Sequence, residues 1–196
     1  MEKKFEMTDN TKKVWNEDGE VITCHQIKAL KDFGSVKAGE LGGYLEKEEN
    51  LSQDGNCWIF NEASVYEDAR IYDDAWVYDE ACVFGNARIY DDACAFGNAR
   101  IYDDSSLYDI AEVYDNTVMH GKASVSDAAQ VYGNAEVGGE AQIYGEAQVY
   151  DNAEVLENAC VGGYTQVYGN AKVFGNAKVF GKIISGYERI SGSTIV

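Results

Sequence analysis

The stretch YGNAKVFGNAKVFGK, Tyr168 to Lys182, states one six-residue unit twice: small residue, Lys, Val, aromatic, Gly, Asn. A period of six fits neither an α-helical face nor a simple hairpin. In Ala-Lys-Val-Phe, successive side chains of an extended strand point to opposite sides, so Ala and Val share one face and Lys and Phe the other. Gly and Asn tolerate left-handed backbone and make corners. One hexad therefore reads as a short strand followed by one bend.

Stepping back from Val179 in sixes reaches Val173, Val167, Val161 and onward to Ile59, 21 positions with no insertion, of which Ala95 alone is not a large apolar residue. Two residues before each, from Ala63 to Ala177, stands Ala in 17 of 20 cases, the exceptions being Ser105, Thr117 and Thr165. The uniform face is the interior. The corner pairs are Gly-Asn, Asp-Asn, Asp-Asp or Gly-Glu. Equal short strands joined by equal bends, always with the same face inward, wind into a parallel solenoid, and three hexads per coil close a triangular prism.

The V-Y-G-N-A-K hexads resemble those of the hexapeptide-repeat, left-handed parallel β-helix proteins, and the resemblance runs from about Leu41 to Lys182. It implies an all-β, left-handed parallel β-helix; the left hand comes from the resemblance, since parallel crossovers are ordinarily right-handed. Continuing the sixes backward places Leu41 in the large inward position and Leu45, Leu51 and Cys57 in the small one. That gives about eight coils, a prism ~35–40 Å long at ~4.8 Å per coil.

The expected organisation is a cap or recognition segment over residues 1–40, the hexad solenoid over 41–182, and a tail over 183–196. KKVWNEDGEVITCHQIKAL reads as a hairpin turning at Glu17-Asp18-Gly19, a cover for the open strand edge of the first coil. KIISGYERISGSTIV breaks the register and is apolar enough to cover the last coil or a neighbouring subunit. KALKDFGSVKAGELGGYLEKEENLSQDGNCWIF also resembles the opening of phage and prophage hexapeptide-repeat proteins of the transferase-like kind.

The chain of 196 residues carries 34 acidic and 16 basic side chains, net charge −18; residues 51–110 hold 13 acidic against 3 basic. Such a charge repels nucleic-acid backbone and anionic membrane and suits a protein partner with a basic surface. The five cysteines form no CxxC pair, consistent with reduced thiols and a cytoplasmic setting. MEKKFEMTDN lacks the apolar run of a signal peptide. There is no proline, which suits a chain that is mostly hydrogen-bonded strand.

With 18 residues per coil, residues n and n+18 stack. The outward slot after each large apolar residue is aromatic in 16 of 21 hexads. The first face stacks Phe60, Tyr78, Phe96, Tyr114, Tyr132, Tyr150 and Tyr168; the second begins Tyr66, Phe84, Tyr102, His120, Gly138; the third runs Tyr72, Tyr90, Tyr108, Ser126, Tyr144, Gly162, Phe180. Stacked rings stabilise parallel strands by ~0.2–1 kcal/mol per pair, and an exposed apolar stripe also marks an interface. Trp58, Phe60, Trp76, Tyr78 and Phe96 form the interface candidate, for self-assembly as a dimer or trimer or for a foreign partner. The corners stack carboxylates, Asp73-Asp74 and Asp91-Asp92 on one edge, Asp103-Asp104 on another. They read as solvated turn residues, as a calcium edge, or as an acidic ridge imitating nucleic-acid phosphates for a basic protein surface.

Acyltransferase activity is what the resemblance implies, with a catalytic His near a subunit interface and loops around the acyl carrier. This chain offers His120, outward on the second face, as the one candidate base, and no loop interrupts the register; His25 lies outside the repeats beside Cys24. No array of outward Thr suggests an ice-binding solenoid. The sequence therefore reads as a non-catalytic acidic binding solenoid needing no cofactor and no metal, in its sharpest form a phage-encoded inhibitor of a host defence protein of CRISPR or restriction type. A trimeric hexapeptide-repeat acyltransferase and a self-assembling scaffold are the alternatives.

Overall fold

A computed structural model of the chain describes residues 3–193. The hexads form three parallel sheets, one per face of the prism. Each hexad contributes a strand of two or three residues, such as Arg70–Ile71, which pairs in parallel with Arg88–Ile89 eighteen residues on. Backbone bonds tie coil to coil, as in Phe60 N–H to Val77 O (2.8 Å) and Tyr78 N–H to Ala95 O (3.0 Å). The inward Ala and aliphatic side chains are fully buried and form one continuous core, with Ala95 filling its slot alongside the larger residues. The three polar exceptions also stay inside. Thr117 shows how: its hydroxyl donates to Tyr114 O at 2.7 Å, so the buried oxygen is satisfied.

The corner chemistry follows from one dihedral. The first corner residue is left-handed in nearly every coil, Asp73 at φ 56°, Asp91 at 56°, Asp103 at 58°, with Gly85 and Gly97 at 68° and 69° in the same role. Only Gly, Asn and Asp visit that region cheaply, which is why those letters recur there.

Strand β1 (Phe5–Trp15) and strand β2 (Val21–Ala29) form the antiparallel hairpin, turning through Asn16 to Gly19. Strand β2 pairs antiparallel with β3 (Leu41–Leu45), and β3 pairs in parallel with Ser64–Val65. The hairpin thus covers the N-terminal edge of the second-face sheet. It also does more than cap. A register shift between Met7 and Thr11 lets the strand bend, and the hairpin tip folds down the second face. There Val14 and Cys24 are buried against Tyr44, Tyr66 and Phe84, Tyr66 Oη donates to Trp15 O (3.3 Å), and Glu17 pairs with Arg100 (2.8 Å).

The first coil corrects the backward extrapolation. Leu45 stacks on Val65 and Leu51 on Ile71, twenty residues apart, so both fill the large inward position rather than the small one. The difference is a corner two residues longer at Ser52 to Asn56. Cys57 keeps the expected register, since Trp58 pairs with Trp76. Lys4, fully buried, plugs the long corner, its ammonium donating to Asp54 O (3.3 Å), Gly55 O (3.5 Å) and Cys57 O (3.1 Å). At the other end the register break is a one-residue deletion in a corner. Val167 pairs with Ile184 and Val173 with Ile190, seventeen residues apart, so coil pairing continues to Ile190; residues 194–196 of the tail lie outside the described residues. No helix among the described residues is long and apolar enough to cross a membrane.

Candidate functional site

The structure sorts the sequence's candidate rings into different roles. Trp58 is fully buried, with Phe5 and Phe33 edge-on at 6.3 and 5.3 Å. The cap closes over it, so it faces no partner; this corrects its place in the interface patch. Phe60 is half-buried and meets Trp76 (5.6 Å) and Tyr78 (6.5 Å) edge-on. Tyr78 and Phe96 stack in parallel at 4.9 Å, and the ladder continues through Tyr114 at 4.6 Å. Burial, followed by the nearby Cys94 and Glu112, pushes the Tyr78 phenol up to about 12, so this ladder is uncharged at neutral pH. Of the first-face candidates Trp76 is the exposed one, 37% accessible.

The six ridge carboxylates occupy two edges. Asp73, Asp74, Asp91 and Asp92 lie between the third and first faces, while Asp103 and Asp104 lie across the third face on the next edge. Several have internal work. Asp91 Oδ2 accepts Asp109 N–H (3.3 Å) and Asp103 Oδ2 accepts Gly121 N–H (2.9 Å). Asp74 Oδ1 accepts both the backbone N–H (2.8 Å) and the amide (2.9 Å) of Asn56, and Asp104 Oδ1 the amide of Asn86 (3.0 Å). The carboxylates of Asp73 and Asp92 have neither hydrogen bond nor ion pair among the described residues, and Asp92 is exposed.

The third face holds residues that the sequence reading did not single out. Arg70 and Arg88 pair side by side on adjacent strands and both are exposed, next to Tyr72 and Tyr90 stacked at 5.0 Å. They line a cleft of about 890 Å³ with Glu49, Ser52, Asp68 and Asn86. Their 18-residue spacing was the available signal. They divide the two acidic edges, so the negative charge forms two rails with a basic pair between them.

A smaller cleft, about 340 Å³, is lined by Gly34, Asn56, Asp74, Trp76, Asp92 and Cys94. It joins the exposed indole to the acidic edge, under a loop of the N-terminal segment. This arrangement can hold a cation against a π-face with carboxylates beside it. Among the described residues no three of His, Cys, Asp and Glu gather in a way that could hold a metal ion.

His120 stacks on Tyr102 (5.6 Å) and its Nε2 lies 3.1 Å from Glu136 Oε1. It leans across Gly138, where an added Cβ would stand 2.3 Å from Nε2. A histidine held by a carboxylate can move a proton, and this one sits on an open strand face. His25 pairs instead with the backbone, Nδ1 to Thr8 O at 3.0 Å.

No family model matches the chain. A stretch of 53 residues is 40% identical to a protein of Escherichia coli (strain K12) named "Uncharacterized acetyltransferase YdcK"; the match spans 26% of this chain and 16% of that protein's length. The chain is thus a parallel β-solenoid with partial similarity to an acetyltransferase-named protein.

Proposed function

We propose that the protein is a non-catalytic binding solenoid that takes a basic segment of a partner protein into the cleft of Asp74, Trp76 and Asp92. The observation that carries this reading is the juxtaposition of the exposed Trp76 with the unpaired carboxylate of Asp92 in one cleft. A lysine or arginine entering there meets an aromatic face and a carboxylate together, worth ~0.5–2 kcal/mol for the cation–π contact alone. Asp73 and Asp91 extend the same edge one step outward and give a longer basic segment further charge to follow. The narrower version, a phage-encoded inhibitor filling a basic nucleic-acid channel of a host defence protein, rests on charge alone, and the basic pair Arg70 and Arg88 weighs against a continuous phosphate-like ridge on the third face.

Binding of a lysine- and arginine-rich peptide, titrated by calorimetry at rising salt, tests the reading. Affinity should fall with salt and drop by about tenfold in Asp92→Asn or Trp76→Ser. Affinity that ignores salt and both substitutions would sink it.

The partial similarity to an acetyltransferase-named protein supports a second reading, a trimeric hexapeptide-repeat acyltransferase. In that reading His120, held by Glu136, is the base, and a neighbouring subunit would have to build the walls that the open face lacks. Acetyl-CoA binding that is present in the wild type and lost in His120→Ala would establish it over the first.

A further inference from the structure

The aromatic ladder of the third face is interrupted at Ser126, where a cleft opens among the described residues. Tyr72, Tyr90 and Tyr108 stack at 5.0 and 5.1 Å with planes within 3°. The next rung is Ser126 and the one after it Tyr144. Gaps elsewhere are closed by their neighbours. His120 lies over Gly138, and the rings of Tyr144 and Phe180 lie over Gly162, 2.7 and 3.0 Å from where a Cβ would stand. Tyr144 meets Phe180 edge-to-face at 6.1 Å. Its ring is therefore engaged on the Gly162 side, and on the Ser126 side it forms one wall of a cleft.

What remains is a cleft of about 390 Å³ lined by Tyr108, Asp109, Ser124, Ser126, Asp127, Gln142 and Tyr144. Two ladder steps span ~10 Å at a coil rise of ~4.8 Å, room for one flat group at the ladder's own spacing. Ser126 floors the cleft. The residue is 7% exposed; its hydroxyl oxygen keeps access to the cleft rather than being sealed off and makes no hydrogen bond among the described residues, so it is available to a group that enters.

The charge of the cleft is negative. Asp109 Oδ2 accepts Asp127 N–H (3.0 Å) and Asp127 Oδ2 accepts Gly145 N–H (2.8 Å), and the second oxygen of each carboxylate has no hydrogen bond among the described residues. No basic side chain lines the cleft. Lys122 stands on the opposite edge, with Glu140 at 3.7 Å.

We propose that this cleft binds a flat delocalised cation, an aryl amidinium or a guanidinium, which takes the missing rung. Its plane stacks on Tyr108, and its N–H groups donate to Asp109, Asp127 and the Ser126 hydroxyl. Flatness is selected by the ring faces and positive charge by the two carboxylates. The site goes beyond the proposed binding edge and stands whether or not that edge holds a protein.

Benzamidine is the probe, followed by saturation-transfer NMR and calorimetry on the full chain. Benzamide is the neutral isostere and methylammonium the compact cation. Saturable binding of benzamidine is expected, with both controls weaker by about tenfold or more. Ser126→Tyr completes the ladder and should abolish binding. Asp127→Asn keeps an acceptor for Gly145 N–H and should weaken binding by about tenfold. Arginine amide binding as well as benzamidine would trace the flat cation to a peptide side chain; benzamidine binding alone would trace it to a small aromatic molecule, and either supports the site. Absence of saturable binding, benzamide or methylammonium binding equally well, or undiminished binding in Ser126→Tyr would overturn it.

Discussion

Replacing Trp58 by alanine and, separately, by phenylalanine distinguishes the packing of its ring from the cost of its N–H. The ring is fully buried between Phe5 and Phe33, while its indole Nε1 is buried without a hydrogen-bond partner among the described residues. Burying an aromatic side chain of this size removes ~150–250 Å² from water, ~4–6 kcal/mol at ~25 cal/mol per Å², and truncating one to alanine in a core costs ~3–5 kcal/mol. The unpaired donor already costs the folded protein ~1–3 kcal/mol. Trp58→Ala removes both, for a net loss centred on roughly 2 kcal/mol. Trp58→Phe gives up roughly 1 kcal/mol of area and escapes the donor penalty, so it is expected to be neutral or stabilising by about 1–2 kcal/mol. Solenoid coils open in near-neighbour units, so the readout is native-state hydrogen exchange at cap amides: Leu30 N–H, bonded to Lys4 O at 2.9 Å, and Tyr44 N–H, bonded to Ala63 O at 2.9 Å. Protection there should fall by about 30-fold in the alanine variant, at ~1.4 kcal/mol per decade, and hold or rise in the phenylalanine variant. Equal loss in both variants would refute the argument, because it would mean the indole N–H contributes a bond. Unchanged exchange in Trp58→Ala would show that the ring does not hold the cap.

Two further outcomes follow from the corners and the hairpin tip. Asp115 is left-handed at φ 59° and accepts Gly133 N–H at 3.1 Å; Asp115→Val should cost ~2–3 kcal/mol and Asp115→Gly ~1 kcal/mol or less, measured as the order of their thermal midpoints. Burial, with Glu46 next in effect, pushes the Cys24 thiol from 9.0 up to about 12, and burial raises the Tyr66 phenol beside it. The folded values lie above the unfolded ones, so this contribution to stability is complete below pH 9.0 and is lost as pH climbs toward about 12. Near-UV circular dichroism should show the hairpin tip releasing in that window, and Cys24→Ser should move the transition to higher pH.

The solenoid was legible because each hexad repeats the same physical problem with the same letters. An inward Ala, an inward aliphatic and a left-handed corner are local demands, and a period of six carried them from Ile59 to Val179 without a slip. The reading failed where one coil departs from the period. SQDGN is two residues longer than a corner, and its acceptors are met by Lys4, some fifty residues away in sequence, a contact no period can announce. The same limit hid the fate of Trp58. In the 18-residue stack it shares a column with Trp76 and reads as outward; only the cap, built from β1 and the Phe33 loop, makes one buried and leaves the other exposed. The acidic corners were visible, but their division of labour was not. Asp103 and Asp104 read alike as Asp-Asp, yet one accepts a backbone N–H from the next coil and the other a side-chain amide.

Function in such a molecule is written in departures from the repeat, and the departures are not equivalent. Every outward slot has nearly the same backbone geometry, so a slot that lacks its ring can be compared directly with another. At Gly138 and Gly162 the missing Cβ is what makes room for His120, Tyr144 and Phe180 to lean across; the glycine and its neighbours act as one packing unit, and the ladder is closed. At Ser126 a cleft remains between the two neighbouring rings. Tyr108 is held in its stack with Tyr90, Tyr144 is turned to Phe180, and the residue between them brings a polar group without a partner. A gap that served packing alone would favour glycine or a ring at this slot, as the other third-face coils do. The serine, the open cleft and the two half-free carboxylates point the same way, toward a group supplied from outside the chain.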